Sequence, residues 1–303
     1  MLWLFLSVIV AFIWSISAFI DNYVTDVIFK KKKPQSMKVF DGCSYLVTAT
    51  AIFFFIGIES LDIYTIGWMV LAGALASIAT VPYYLALRDE EATTSAIFYQ
   101  LSPVLILVAE WSIFKQSLTW LQTVGLAIIL IAPIIIIFSR KRPKSRRMEF
   151  GAALLLTIFV IICTTSTLIT THAGDNLDFV SIFFWFLIGR GASDLILYAT
   201  HQDWQQRMKY IWRRNRIKFV FTMLINQLIS IIAEFINRYA LIIGIASLVS
   251  ATCNVLELIM TFLLGIILSI IWPKFGREKL ERHVIIAHLI ATILASIGIL
   301  LIQ

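Results

Sequence analysis

Charge is what this sequence is short of. Asp, Glu, Lys and Arg make up 14% of its 303 residues, where a soluble globular chain carries about 25%. With apolar residues at 60% and a mean hydropathy of +0.89, a water-soluble fold is excluded. Cysteine is scarce as well. Cys43, Cys163 and Cys253 fall in apolar stretches without C-x-x-C spacing and read as small hydrophobes, silent on redox chemistry. His172, His201, His283 and His288 are scattered and offer no metal-ligand spacing. No G-x-x-x-x-G-K-[ST] loop is present, so this chain does not hydrolyse ATP. No Ser/His/Asp, His-metal or Cys/His cluster supports a membrane-embedded enzyme. Neither a cofactor nor a metal is expected, and the chain is read as a non-enzyme.

What is present in excess is apolar runs. Ten stretches of roughly 20 residues are nearly free of charge, long enough to cross a hydrocarbon core of about 30 Å as helices. Inside lipid a chain must satisfy its own backbone groups, and runs of this length leave helices as the solution. A β-barrel would show short alternating segments instead. The spans are expected at 2–20, 39–57, 66–87, 93–113, 119–139, 149–170, 179–199, 218–240, 244–271 and 284–302.

A net charge of +7 in a soluble protein would suggest nucleic acid. Here the cations sort by connection. The connections after the odd-numbered spans hold 22 Lys and Arg, Lys30 to Lys33 and Lys38 among them; the others hold only Lys115 and Arg238. Cytoplasmic connections carry such an excess, which puts both termini outside a cytoplasmic (inner) membrane crossed several times. The first run has its positive charge after it, unlike a cleaved signal peptide, and is expected to be a retained span. The segment 201–217, basic with Trp204, Tyr210 and Trp212 interleaved, reads as an interfacial segment against anionic lipid.

The chain also repeats itself. At an offset of 154 residues, Ala86-Leu87 falls on Ala240-Leu241, Ala92 on Ala246 and Gln100 on Asn254. Gly125 and Ala132 repeat the seven-residue spacing of Ala291 and Gly298. Each half, 1–145 and 146–303, then holds five spans. An odd number inverts the second half, an arrangement typical of transporters. The expected fold is an all-α membrane protein of ten transmembrane helices in two inverted five-helix repeats.

The stretch from Tyr83 to Ser139, with its Ala-Leu, small-residue turn, Ser102-Pro103 and Gly125, resembles the drug/metabolite transporter superfamily of EamA type. Trp14-Ser15 and, in the second half, Ala240-Leu241 and Phe275-Gly276 before Glu278 are similar to further family positions. The second-half proline position holds Glu257, and Gln116 stands near where an acidic residue precedes the fifth helix. The resemblance implies alternating-access secondary transport of a small polar or amphiphilic metabolite, amino-acid-like or an organic amine. A lipid or lipid-linked carrier flippase fits the same fold. The partners implied are a small-molecule substrate, membrane lipids and a coupled proton or ion, with no nucleic acid.

Polar residues deep in a span are costly and turn to the bundle interior or to a water-filled space. In 244–271, Ser250, Asn254, Glu257 and Thr261 share one face; in 218–240, Asn226, Ser230, Glu234 and Asn237 do. Gln100, Pro103 and Glu110 line a third face, Thr157 and Thr164 a fourth, and Ser7, Trp14 and Asp21 a fifth. Glu257 has no cation within helical reach and is the leading candidate for substrate binding or coupling. Asn254, Glu234, Asn226 and Gln100 support it, with Trp14, Tyr83 and Tyr99 as aromatic candidates that read more readily as packing. Arg190 with Asp194, and Glu234 with Arg238, are spaced four apart and read as ion pairs or pathway elements. Glu110 is placed near the outer end of its span, within reach of water.

Overall fold

The computed structural model describes residues 2–30, 32–89, 98–115, 118–139, 150–173, 178–271 and 282–301. Ten α-helices follow in order: α1 Leu2–Tyr23, α2 Lys38–Phe55, α3 Ile63–Asp89, α4 Ser102–Ser112, α5 Trp120–Ser139, α6 Phe150–Ala173, α7 Phe179–Thr200, α8 Gln202–Ile243, α9 Ala246–Ile271 and α10 Arg282–Leu301. No strand occurs among the described residues. Seven of the helices are long and apolar enough by themselves to cross a membrane. The apolar stretches on α4, α5 and α10 are shorter within the described residues, Ser102–Ser112, Trp120–Ile131 and Leu289–Leu301. Residues 93–97, expected to open the fourth span, lie outside the described residues.

Helix starts follow local chemistry. Asp62 accepts the backbone N–H groups of Tyr64 and Thr65, each at 3.0 Å, at the head of α3. These bonds, with the Thr65 hydroxyl, hold its carboxyl below the usual range, so the cap is present at neutral pH and lost as acid protonates it. Asp178 caps α7 through Ser181 N at 2.8 Å. The eighth helix departs from expectation. The interfacial segment and the span are one 42-residue helix, broken in φ/ψ only at Asn215. Its first turns bury Met208 and Ile211 against Val24, Ile28, Phe29 and Met37, so that amphipathic stretch docks on the protein as well as facing outward with its cations.

Helix pairing repeats between the halves. Helix α2 packs on α7, α4 on α9 and α5 on α10, each on its counterpart five helices later. The pair α1·α9 has its mate in α6·α4, and α3·α6 in α8·α1. Small residues set the close approaches. A side chain at Gly298 would lie 2.7 Å from the Gly125 carbonyl oxygen, which explains the matched small residues on α5 and α10.

The tightest seam joins α3 to α7, where a Cβ at Gly73 would collide with the backbone of Phe186 and Arg190, and one at Gly189 with that of Val70. Gly73→Ala is expected to destabilise the protein by about 1–3 kcal/mol through overpacking. A melting temperature equal to that of the unsubstituted protein would contradict that seam.

Candidate functional site

On α8, Glu234 accepts a hydrogen bond from Arg238 Nε at 2.8 Å, the pair expected one turn apart. Its second oxygen lies 3.2 Å from Arg190 Nη1 of α7. Arg238 also donates to Thr170 Oγ1 of α6 at 2.8 Å and stands 4.2 Å from the Phe186 ring centroid. Arg190 sits 4.6 Å over the Tyr45 ring of α2. Two guanidiniums thus share one carboxylate, leaving a cationic surplus braced on aromatic faces. Arg190 and Glu234 keep 16% and 15% exposure, so neither is fully packed shut.

The spacing of Arg190 and Asp194 permits a pair that the structure makes differently. Arg190 turns to Glu234, and Asp194 pairs with Lys38. The cause is the close crossing of α2 and α7, where a Cβ at Gly42 would lie 2.9 Å from the Gly191 carbonyl oxygen. That approach carries Lys38, the first residue of α2, within reach of Asp194. Lys38 was counted among the basic connections, yet both side chains are only 2% exposed. Its ammonium also donates to the Ser77 carbonyl at 2.6 Å and approaches Ser77 Oγ at 3.2 Å, and Ser77 Oγ donates to Asp194. Every hydrogen on that nitrogen has an acceptor. Lys38 with Asp41 at the head of an apolar run was the signal that could have drawn it into the bundle.

Glu257 lies in the middle of α9, partly buried, with no hydrogen bond or ion pair among the described residues. One turn back, Asn254 Nδ2 donates to the Tyr99 carbonyl at 3.3 Å, and the Asn254 carbonyl accepts from Gln100 Nε2 at 3.2 Å. Gln100 and Asn254 are the amides that coincide at the 154-residue offset; the Gln100 side chain holds the Asn254 backbone, and the Asn254 side chain holds that of Tyr99. Tyr83 and Tyr99 flank Phe159 of α6, with ring centroids at 5.0 and 5.5 Å. Tyr83 is within electrostatic reach of Asp21 and Glu257, and Tyr99 of Glu257, Glu234 and Arg238. Tyr99 is therefore near both Glu257 and the Glu234–Arg238 pair.

Other expected residues go elsewhere. Trp14 packs into an apolar cluster with Val10, Ile106, Leu241 and Cys253 and joins no polar group there. Asn226 bonds Asp21 at 2.7 Å and Ser17 at 2.8 Å, on the same α8 face as Glu234 but nearer the start of that helix. Thr157 is exposed and bonds only its own helix at Ala153 O, whereas Thr164 is buried against Ser102 at 2.9 Å. Glu110 does not reach water. It is 2% exposed and accepts the Ser247 backbone N–H at 3.3 Å, a carboxylate placed on the positive end of α9.

Residues 1–138 match the model of the EamA-like transporter family. That part of the chain is similar to the family. The match is to the drug/metabolite transporter superfamily, whose members move small molecules across membranes rather than transform them, and it agrees with the resemblance carried by Ser102-Pro103 and Gly125. A crystal structure of another protein resembles this one over 97% of this chain and 99% of its own, with a TM-score of 0.66 and 11% identity, which shows a shared fold over nearly the whole chain. No curated protein matches the sequence.

Proposed function

We propose that this EamA-like protein is a secondary transporter of a small polar or amphiphilic metabolite, amino-acid-like or an organic amine, working by alternating access. The observation that carries the reading is an unpaired carboxylate and an arginine pair within reach of the same aromatic residue, Tyr99. Glu257 has no cationic partner among the described residues, while Arg190 and Arg238 share the single carboxylate of Glu234. An uncompensated carboxylate inside an apolar bundle is costly, and a cationic solute group or a proton would relieve that cost. The surplus guanidinium suits a carboxylate on the same solute.

Alternating access is supported by the repeated helix pairings and by the Gln100–Asn254 contact at the junction of the halves. In this proposal residues 1–145 and 146–303 are inverted five-helix units about an axis in the membrane plane. Both termini are extracytoplasmic, on the 22-to-2 division of basic residues.

Purified protein screened by thermal shift against a metabolite library, with hits carried to liposome flux, tests the reading. Hits among amino acids or amines that also cross the liposome membrane are expected. Exchange of lipids between leaflets, with no such hit, would replace this reading by a flippase.

A further inference from the structure

The first turns of α8's membrane-crossing part hold two carboxylates that the Glu257 centre does not use. Consecutive residues Asn226 and Gln227 each donate a side-chain N–H to a different helix, Asn226 to Asp21 of α1 and Gln227 to Asp41 of α2. Neither acid is in an ion pair among the described residues. Ser17 Oγ stands 2.8 Å from Asn226 Oδ1 and 2.9 Å from Ser230 Oγ, so the surroundings are oxygen-rich.

Two further oxygens there have no partner. Gln227 Oε1 and Thr25 Oγ1 are buried without a hydrogen bond, their residues 7% and 5% exposed. Thr25 belongs to a π-helical turn, Val24–Ile28, that interrupts the backbone immediately beyond α1; such turns cluster at functional positions. A buried acceptor left open costs about 1–3 kcal/mol, and an acceptor can be satisfied only by a donor or a cation.

Charged and titratable groups of α1, α2, α3 and α7 lie within electrostatic reach of this place. Asp41 feels Asp194 and Arg190 of α7, Lys38 of its own helix and Asp21 of α1; Tyr83 and Tyr84 of α3 face Asp21, and Tyr45 of α2 faces Asp41. Arg190 is engaged by Glu234 and Lys38 by Asp194. Asp21 and Asp41 are left without an ion-pair partner of their own among the described residues.

We propose that Asp21 and Asp41, held by Asn226 and Gln227, form a site for a small hard cation, a proton or sodium, separate from Glu257 and loaded in step with the solute. Oxygen-only donors with a carboxylate suit a hard cation. The link to solute movement rests on the transport reading; cation occupancy does not.

The test uses full-length protein without any solute. Radioactive sodium binding is measured at alkaline pH against choline, and proton uptake is measured with an indicator dye in choline alone. Infrared difference spectra of the unsubstituted protein report whether carboxyl groups change on loading. Sodium binding, or proton uptake with a carboxyl signal, is expected and identifies which cation is used. Asp21→Asn and Asp41→Asn should each abolish it, and Gln227→Leu should weaken it by about tenfold. Neither cation binding to the unsubstituted protein, or binding that survives Asp21→Asn with Asp41→Asn, overturns the site. Solute flux in that case leaves the transport reading standing. Cation binding without any solute flux leaves the site standing and removes the transport reading.

Discussion

Glu257→Gln protein in liposomes is expected to lose solute movement while remaining folded. The substitution keeps size and hydrogen-bonding capacity and removes charge and titration. If Glu257 holds a cationic solute group, binding should weaken by about 100-fold at every pH, since breaking a buried charge pair costs about 2–5 kcal/mol. If it carries a proton, binding should survive and flux driven by a pH gradient should fail. Its surroundings make a merely structural role hard to sustain. Asn254, one turn away, spends its donor and its carbonyl on Tyr99 and Gln100, not on Glu257. Unchanged binding together with unchanged gradient-driven flux in Glu257→Gln would reject both roles.

Lys38→Met should be among the most destabilising single changes in the chain. It leaves Asp194 buried beside Ser77 with its counter-charge gone, and removing one member of a buried pair costs about 3–5 kcal/mol. The double variant Lys38→Met with Asp194→Leu should recover most of that loss, because an apolar pair requires no compensation. Equal stability of the single variant and the unsubstituted protein, measured by thermal unfolding in detergent, would mean that Lys38 is solvated. A double variant no better than the single would mean that the α2–α7 crossing itself depends on the charges.

The bundle was legible in the sequence because its information is one-dimensional. Runs of apolar residues set the helices, and a 154-residue offset aligned Gln100 with Asn254, two residues that the structure brings into contact. The helical face holding Asn226, Ser230 and Glu234 was legible for the same reason, as was the Glu234–Arg238 pair. Partners across helices were not. Spacing of four offered Asp194 to Arg190, and only the approach of Gly42 to Gly191 hands it to Lys38 instead. Glu110 read as a surface acid because sequence gives depth along a helix and says little about what covers its end. The start of α9 covers it. Trp14 shares a helix face with Ser7 and Asp21, yet that face changes neighbours along its length and is apolar where Trp14 sits.

The most direct measurement is the accessibility of the centre from each side of the membrane. Ser250→Cys, on the polar face of α9 in a background lacking Cys43, Cys163 and Cys253, is exposed to a membrane-impermeant thiol reagent from one side and then from the other. Alternating access predicts labelling from both sides, with a bound solute shifting the balance between them and a leak-free membrane throughout. Labelling from one side alone under every condition, or from neither, would contradict a transport pathway through this centre.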